Sequence, residues 1–221
     1  MGYVVYQMEG RSIAYLTREE MGSVGKFIEC YWRFQFLLIP GFNPPIRNDR
    51  KDRQGDAVAI YVRHELHAIE RQDLHTNGLE SLWVELKASN RKCLVGGIYR
   101  PPNANNDYWQ RIERNIDKVF NENCHNIVIT GDFNMDFKAN PNNKMARFIA
   151  SYNAQQLIDT PTHCTERSNS LIDIFVIKNH NQVISSFVAD PFIPDLVRFH
   201  CPVVCVLKFN KPCQGSYKRR I

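Results

Sequence analysis

The sequence lacks the features that mark several broad classes of protein. No apolar run approaches the roughly 20 residues that a membrane-spanning helix needs, so no membrane association is expected. The N-terminus lacks the basic stretch followed by an apolar stretch that is typical of a secretory signal. Seven cysteines are scattered along the chain without a C-x-x-C motif, which argues against a disulfide framework and favours a reducing compartment. No internal repeat or low-complexity segment stands out.

Neither sign of charge dominates the chain. Its 28 Lys and Arg residues exceed its 23 Asp and Glu residues, for a formal net charge of +5. This excess suits a polyanionic partner without requiring one. The basic residues concentrate only in Arg47–Arg53 and in the tail at Lys218–Arg220. With 43% hydrophobic and 23% charged residues, the 221-residue composition is that of a globular protein.

Strand patterns outnumber helix patterns. Apolar and β-branched runs predict strands at 57–64, 81–87, 92–99, 127–130, 171–177, 183–189 and 201–209. Helical spacing predicts an amphipathic helix over 107–121, with Asn106 as its N-cap, and a second helix over 142–155. Residues 9–26 show no clean period. This order of elements favours an α/β sandwich with mixed sheets over a doubly wound parallel sheet.

The segment Ile127–Asn134 is the most informative for chemistry. An apolar strand runs into Gly131, and Asp132 and Asn134 follow two residues apart, which places both on one side of a strand. A carboxylate and an amide at a strand end can hold a water and a phosphate oxygen, the carboxylate accepting the proton of the water. The alternative is a plain turn, since Gly, Asp and Asn are all turn residues.

Three further polar residues stand at the ends of predicted strands or within them. Tyr99 precedes Arg-Pro-Pro-Asn103 and could direct its hydroxyl at a phosphate, or could be a core residue. Asp173 lies inside an apolar strand, where a buried carboxylate requires a partner. That partner could be a backbone group or an arginine. His200 heads the last strand and could be a structural histidine.

In this order the motifs YRPPN, ITGDFN, PT, LIDIFV and HCPV resemble the endonuclease/exonuclease/phosphatase superfamily, and within it the apurinic-endonuclease-like domains of non-LTR retrotransposons. Pro40–Asn43 and Gly55–Arg63 are similar to the same branch. The resemblance implies a four-layer α/β sandwich of two packed mixed sheets, with an incomplete or degenerate N-terminal strand. It also implies Mg²⁺-dependent hydrolysis of phosphodiester bonds in DNA, without an organic cofactor.

The resemblance also implies roles for single residues. Asp132 would orient or deprotonate the attacking water and bind metal with Glu29, and Asn134 would hold the phosphate. Tyr99 would bind the phosphate near the leaving group, Asp173 would support the site, and His200 would polarise a phosphoryl oxygen. Arg100 and Thr162 would contact the nucleic acid.

The chain departs from the family pattern at the position before His200. Where the family has an aspartate that binds metal or orients the histidine, this chain has Phe199. The imidazole is therefore expected to lack an orienting carboxylate unless Asp195 replaces it. The first strand of the family, which carries an asparagine, has no clear counterpart in residues 1–26. From these departures a weak or inactive nuclease is expected.

Two alternatives stay open beside a DNA-nicking enzyme. One is a nucleic-acid-binding remnant without catalysis, and the other is a phosphoesterase that acts on a lipid or small-molecule phosphate. The resemblance predicts an irregular or degenerate N-terminal part over 1–38, an endonuclease/exonuclease/phosphatase-like domain over 39–209 and a basic tail over 210–221. A DNA enzyme of this kind is expected inside the cell, in the nucleus.

Overall fold

The computed structural model describes residues 12–16, 39–49, 57–88, 91–190 and 198–208. Apolar and β-branched runs form most of its strands, and two amphipathic segments form its α-helices, α1 (Asn106–Phe120) and α2 (Lys144–Ser151). Gln72–Leu74 and His180–Gln182 form short 3₁₀ helices. The strands are β1 (Ser12–Leu16), β2 (Ile46–Asp49), β3 (Ala57–Val62), β4 (His67–Glu70), β5 (Glu80–Ala88), β6 (Arg91–Tyr99), β7 (Asn126–Asp132), β8 (Gln155–Gln156), β9 (His163–Thr165), β10 (Asn169–Ser170), β11 (Asp173–Ile177), β12 (Val183–Val188), β13 (Arg198–His200) and β14 (Val203–Leu207). No described helix is long and apolar enough to span a bilayer.

The larger sheet has six strands in the order β4-β5-β6-β7-β11-β8. Its neighbouring strands run antiparallel except β6 and β7, which run parallel. Two consecutive parallel strands need a crossover connection, and α1 lies within this one. Trp83 of β5 ties the helix to the sheet, because its indole Nε1 donates to Oδ1 of Asn115 at 2.9 Å. Gly96 leaves room for that indole, since a Cβ there would lie 2.2 Å from the ring.

A second layer of strands covers the other face of this sheet. β1 runs parallel and β2 antiparallel to β3, and β3 packs against β5 and β6. Farther along, β14 pairs with β12 and packs against β11. Val58 and Ile60 of β3 and Val203 and Cys205 of β14 are fully buried. The predicted α/β sandwich of two packed mixed sheets is thereby confirmed.

A small sheet of three short strands, in the order β10-β9-β13, completes the described topology. β9 pairs antiparallel with both neighbours, and His163 of β9 stands opposite His200 of β13. The amide of Cys201 then donates to the carbonyl of Thr162 at 2.6 Å. These contacts bring the segment before β14 alongside the segment before β11, although the two are far apart in sequence.

Several element boundaries differ from the sequence prediction. The N-cap of α1 is Asn105, whose side chain accepts from the amide of Tyr108 at 3.0 Å, so the prediction of Asn106 is wrong. α2 is shorter than predicted and begins after Asn143, which caps it in the same way. A strand also forms where the sequence shows no clean period, at β1, although it contains no asparagine. The predicted domain boundaries stay predictions, and most of 1–38 and all of 210–221 lie outside the described residues.

Gly131 allows β7 to approach the end of β6. Its φ is +154°, in the region that L side chains rarely adopt, and a Cβ there would lie 1.7 Å from the carbonyl oxygen of Ile98. Backbone cannot move aside as a flexible side chain can, so only glycine fits this position. Strand packing therefore requires the glycine that precedes Asp132 in the motif.

We expect Gly131→Ala to destabilise the protein by at least ~3 kcal/mol, because backbone strain and a steric clash add at one site. Gly41→Ala is the matched control, since Gly41 also has a positive φ of +84° but its nearest neighbouring atom is 3.9 Å away. Strain alone there should amount to roughly 1–2 kcal/mol. Urea unfolding of both variants measures the difference. Equal losses of stability would contradict the packing argument.

Candidate active site

Three neighbouring strands bring polar side chains to one end of the larger sheet. Asp132, the last residue of β7, stands directly opposite Asp173, the first residue of β11. On the other side of β7, its parallel register with β6 pairs Gly97 with Thr130. Tyr99 lies two residues after Gly97, and Asp132 lies two residues after Thr130. Because side chains alternate along a strand, all three residues belong to the face that carries Gly97. A Cβ on Gly97 would lie 2.6 Å from Val58, so this face is the one that β3 covers.

The turn after β7 is fixed by Asp132 and Asn134. Oδ1 of Asp132 accepts from the amide of Asn134 at 2.8 Å. Asn134 has a φ of 47°, a left-handed conformation that asparagine tolerates better than most residues. Its side-chain amide donates to the carbonyl of Arg100 at 2.8 Å. The residues after β7 thus form a turn, as the alternative interpretation of this motif predicts. The turn also brings the carboxylate of Asp132 close to Asn134.

Arg100 holds this turn against the end of β6. Its amide donates to the carbonyl of Asp132 at 2.8 Å. Its guanidinium donates to the carbonyls of Phe133, Asn134 and Ala104 at 3.2 to 3.3 Å. Burial lowers the pKa of Arg100, an effect that the nearby Asp132 opposes. These bonds give Arg100 a positioning task, and its contact with nucleic acid stays a prediction.

Asp173 and His200 form a buried pair. Nδ1 of His200 lies 2.9 Å from Oδ2 of Asp173, and Asp173 is 1% exposed. The expectation that the imidazole lacks an orienting carboxylate is therefore wrong, because Asp173 supplies one from a neighbouring element. The pair also identifies the partner that a carboxylate inside an apolar strand requires.

Thr162 holds the start of β11 in place. Its hydroxyl oxygen accepts from the amides of Ile172 and Asp173 at 3.2 and 3.0 Å. Thr162 is fully buried. These contacts give it a structural task beside Asp173, and the contact with nucleic acid that the sequence predicts stays a prediction.

The electrostatics of the site centre on Asp132. Burial and the neighbouring charge of Asp173 raise the pKa of Asp132 to about 7, while His200 and the amide of Asn134 oppose the increase. A carboxylate in this position gains from a nearby cation, since burial and like charge both disfavour its ionised form.

Asp132, Asp173 and His200 form a group that could hold a metal ion. One ligand atom from each lies within 4.8 Å of the other two. Two carboxylates offer the oxygen ligands that Mg²⁺ prefers, and burial, with the charge of Asp173, raises the pKa of Asp132, so a cation here would favour its ionised form. The residues therefore fit a divalent cation. Glu29, the other predicted ligand, lies outside the described residues, as does Asp195.

His163 is a site residue that the sequence analysis missed. It is 8% exposed, and the centroid of its ring lies 4.6 Å from that of His200. The only signal in the sequence is its place directly after Thr162. Histidines in short strands carry no periodic pattern, so nothing pointed to this one before the register of β9 and β13 was known.

Comparisons with known proteins agree with this fold. The family model described as endonuclease-reverse transcriptase matches residues 93–196, which include Tyr99, Asp132, Asn134 and Asp173. The endonuclease domain of TRAS1, a telomere-specific non-LTR retrotransposon, aligns with 95% of this chain and 100% of its own length, with 17% identity and a TM-score of 0.66. The chain has the fold of the endonuclease/exonuclease/phosphatase superfamily. The resemblance that the ordered motifs carry is thereby confirmed.

Other structures with the endonuclease/exonuclease/phosphatase fold are similar over a smaller share of the chain. The mannosyl-6-phosphatase of Bacteroides thetaiotaomicron VPI-5482 is 15% identical, covers 77% of this chain and 78% of its own, and has a TM-score of 0.54. The human nocturnin catalytic domain with bound sulfate anion is 14% identical, with a TM-score of 0.53. Its alignment covers 77% of this chain and 73% of the nocturnin domain. Comparison with curated proteins gave no match.

We expect Asp132→Asn to stabilise the metal-free protein, compared with the wild type, more at pH 8 than at pH 5. A raised pKa means that the fold favours the protonated carboxyl, so its contribution is present below about pH 4 and is lost as the pH rises through about 7. At roughly 1.4 kcal/mol per pKa unit, the benefit of the substitution should grow by about 2 kcal/mol between pH 5 and pH 8. Thermal or urea unfolding in EDTA measures it.

The exposed carboxylate of Asp159 provides the control for this experiment. Asp159→Asn removes one exposed carboxylate, so it controls for the loss of a negative charge that is not buried. If Asp132→Asn lost stability at both pH values, the acceptor role of Asp132 in the turn would outweigh its charge, and the electrostatic argument would be wrong.

Proposed function

We propose that this chain is a Mg²⁺-dependent phosphodiesterase that nicks DNA and derives from a retroelement. The observation that carries the proposal is the group of Asp132, Asp173 and His200, whose ligand atoms lie within 4.8 Å of one another at one end of the sheet. Phosphoryl transfer needs this kind of arrangement, because positioning and charge neutralisation contribute more to it than covalent chemistry does.

Asp132 is the residue that accepts the proton of the attacking water. A general base must lie at a fixed position beside the water that it deprotonates, and Asp132 stands at the end of β7 opposite Asp173. The amide of Asn134 holds one oxygen of Asp132 at 2.8 Å. This bond fixes the direction of the carboxylate.

His200 polarises a phosphoryl oxygen. The carboxylate of Asp173 accepts from Nδ1 at 2.9 Å, so it orients the imidazole and leaves the other ring nitrogen for the phosphate. Asn134 and Tyr99 hold the phosphate from the ends of β7 and β6. When bound beside Asp132, Mg²⁺ supplies positive charge that offsets the charge on the phosphate oxygens.

DNA is the proposed substrate because two findings favour a nuclease over a phosphatase. The matched family joins an endonuclease to a reverse transcriptase, and its match spans residues 93–196. The endonuclease domain of TRAS1 aligns over 100% of its own length with 95% of this chain. The net charge of +5 and the basic segment Arg47–Arg53 suit a polyanion, and a nuclear location follows from such a substrate.

A small-molecule phosphoesterase is the second candidate, since the mannosyl-6-phosphatase shares the fold. A binding remnant without catalysis is the third, and Phe199 favours it because a phenyl ring cannot ligate a cation. Substrate and metal dependence distinguish the three candidates in one set of assays.

The decisive experiment is a nicking assay on supercoiled plasmid with Mg²⁺ or EDTA. We expect slow nicking with Mg²⁺ and none with EDTA, because Phe199 stands where the family pattern has an aspartate. Asp132→Asn should reduce the rate by ~10²–10⁴-fold, because it removes the general base. Asp159→Asn, at an exposed carboxylate, serves as the control and should nick at the wild-type rate.

The same protein samples test the other two candidates. Release of phosphate from sugar phosphates without plasmid nicking would indicate the small-molecule enzyme. DNA binding without nicking at any Mg²⁺ concentration would indicate the remnant. Either result would contradict the proposed nuclease activity.

We expect Phe199→Asp to increase Mg²⁺-dependent nicking at low Mg²⁺ concentration. The family pattern gives an aspartate at this position two roles, binding metal or orienting the histidine, and Asp173 already orients His200, so metal binding is the role expected of the new carboxylate. The Mg²⁺ concentration at half-maximal rate should fall while the rate at saturating Mg²⁺ changes less. Phe199→Asn, which adds a polar group without charge, is the control. An unchanged Mg²⁺ dependence would contradict a metal-binding role for this position.

A further inference from the structure

His163 and His200 face each other across the short sheet before β14. The two residues are opposed in the antiparallel register of β9 and β13. Their ring centroids lie 4.6 Å apart with an interplanar angle of 60°, which is the edge-to-face arrangement that aromatic rings prefer. His163 is itself 8% exposed, so its ring has little freedom to move away from His200.

The ring of His163 is held from the other side by Ser170. Oγ of Ser170 lies 3.4 Å from Nδ1 of His163, and the two residues are also opposed in β9 and β10. The preceding residue, Thr162, accepts the amide of Asp173 at 3.0 Å. The Thr162–His163 step therefore contacts both members of the Asp173–His200 pair, one through the backbone of Asp173 and the other through the ring of His200.

A single hydrogen bond does not define the orientation of an imidazole. The ring of His200 turns about its χ1 and χ2 bonds, and the bond from Nδ1 to Asp173 restrains this motion within the distance and angle that a hydrogen bond tolerates. A second contact on the ring removes this freedom, and His163 is the described aromatic residue that provides it. The direction of the opposite nitrogen of His200 then depends on both contacts.

We propose that His163 is a positioning residue, which through its ring contact sets the plane of the His200 imidazole against Asp173. The catalytic meaning of this inference rests on the proposed function, in which His200 polarises a phosphoryl oxygen. A purely structural histidine would instead matter through its hydrogen bond to Ser170. Two substitutions separate these tasks, because each keeps one contact and removes the other.

His163→Phe keeps an aromatic ring beside His200 and removes the polar contact with Ser170. His163→Asn keeps a polar atom near Ser170 and removes the ring. The readout is the downfield proton resonance of the Nδ1–H of His200, in protein with labelled histidine and EDTA. His200→Asn assigns this resonance, and His180→Ala, at an exposed histidine, is the control that should leave it unchanged.

We expect the resonance to persist in His163→Phe and to broaden or disappear in His163→Asn. A folded His163→Phe that loses the resonance would overturn the proposal, and so would a folded His163→Asn that keeps it. One folded variant of the two is enough to decide, and thermal unfolding identifies which are folded.

The nicking assay adds the catalytic readout. His163→Asn should lower kcat by roughly 3- to 10-fold, the range that an edge-to-face contact supports, with KM for plasmid unchanged. The same substitution in a His200→Ala background should have no further effect. An additive loss in that background would overturn the proposal. Because the resonance is measured without metal or DNA, an inactive protein with the expected resonances refutes the nuclease and supports the contact.

Discussion

The site depends on two carboxylates that face each other across β7 and β11. Asp132 and Asp173 occupy opposed positions in an antiparallel register, and 6% and 1% of their surfaces are exposed. Burial and like charge both oppose ionisation of such a pair, which is why the pKa of Asp132 is raised to about 7. The site accommodates this charge through His200 on one side and through its capacity for a cation. The proposed acid–base and metal chemistry thus has a common electrostatic origin.

The surrounding fold holds this pair on rigid strand ends. Gly131 lets β7 lie close against the carbonyl of Ile98, and Arg100 anchors the turn that follows Asp132. Thr162 fixes the amide at the start of β11. Functional groups that stand on strands and are supported by such hydrogen bonds keep their geometry better than groups on free loops.

The fold by itself does not select the substrate. A mannosyl-6-phosphatase and a retrotransposon endonuclease domain both share it with this chain, and function depends on the site rather than on the architecture. The site of this chain is defined by the contacts of His200. Asp173 orients the imidazole, His163 packs against it, and Phe199 stands where the family pattern has an aspartate.

The sequence by itself determined the strands of the sandwich and the positions of most polar groups at their ends. Apolar runs are local, so β5, β6, β7 and β11 of the larger sheet could be predicted, and an ordered set of motifs around Tyr99, Asp132 and Asp173 indicated the superfamily whose fold the chain has. Only the tertiary structure decided which of these groups touch. The pairing of Asp173 with His200 depends on the association of β13 with β9, and His163 joins the site through the same register. Such contacts bring together residues far apart in sequence through backbone hydrogen bonds that carry no side-chain signature. The N-cap of α1 shows the same limit on a small scale, because both Asn105 and Asn106 suit a cap by residue type and only the backbone geometry distinguishes them.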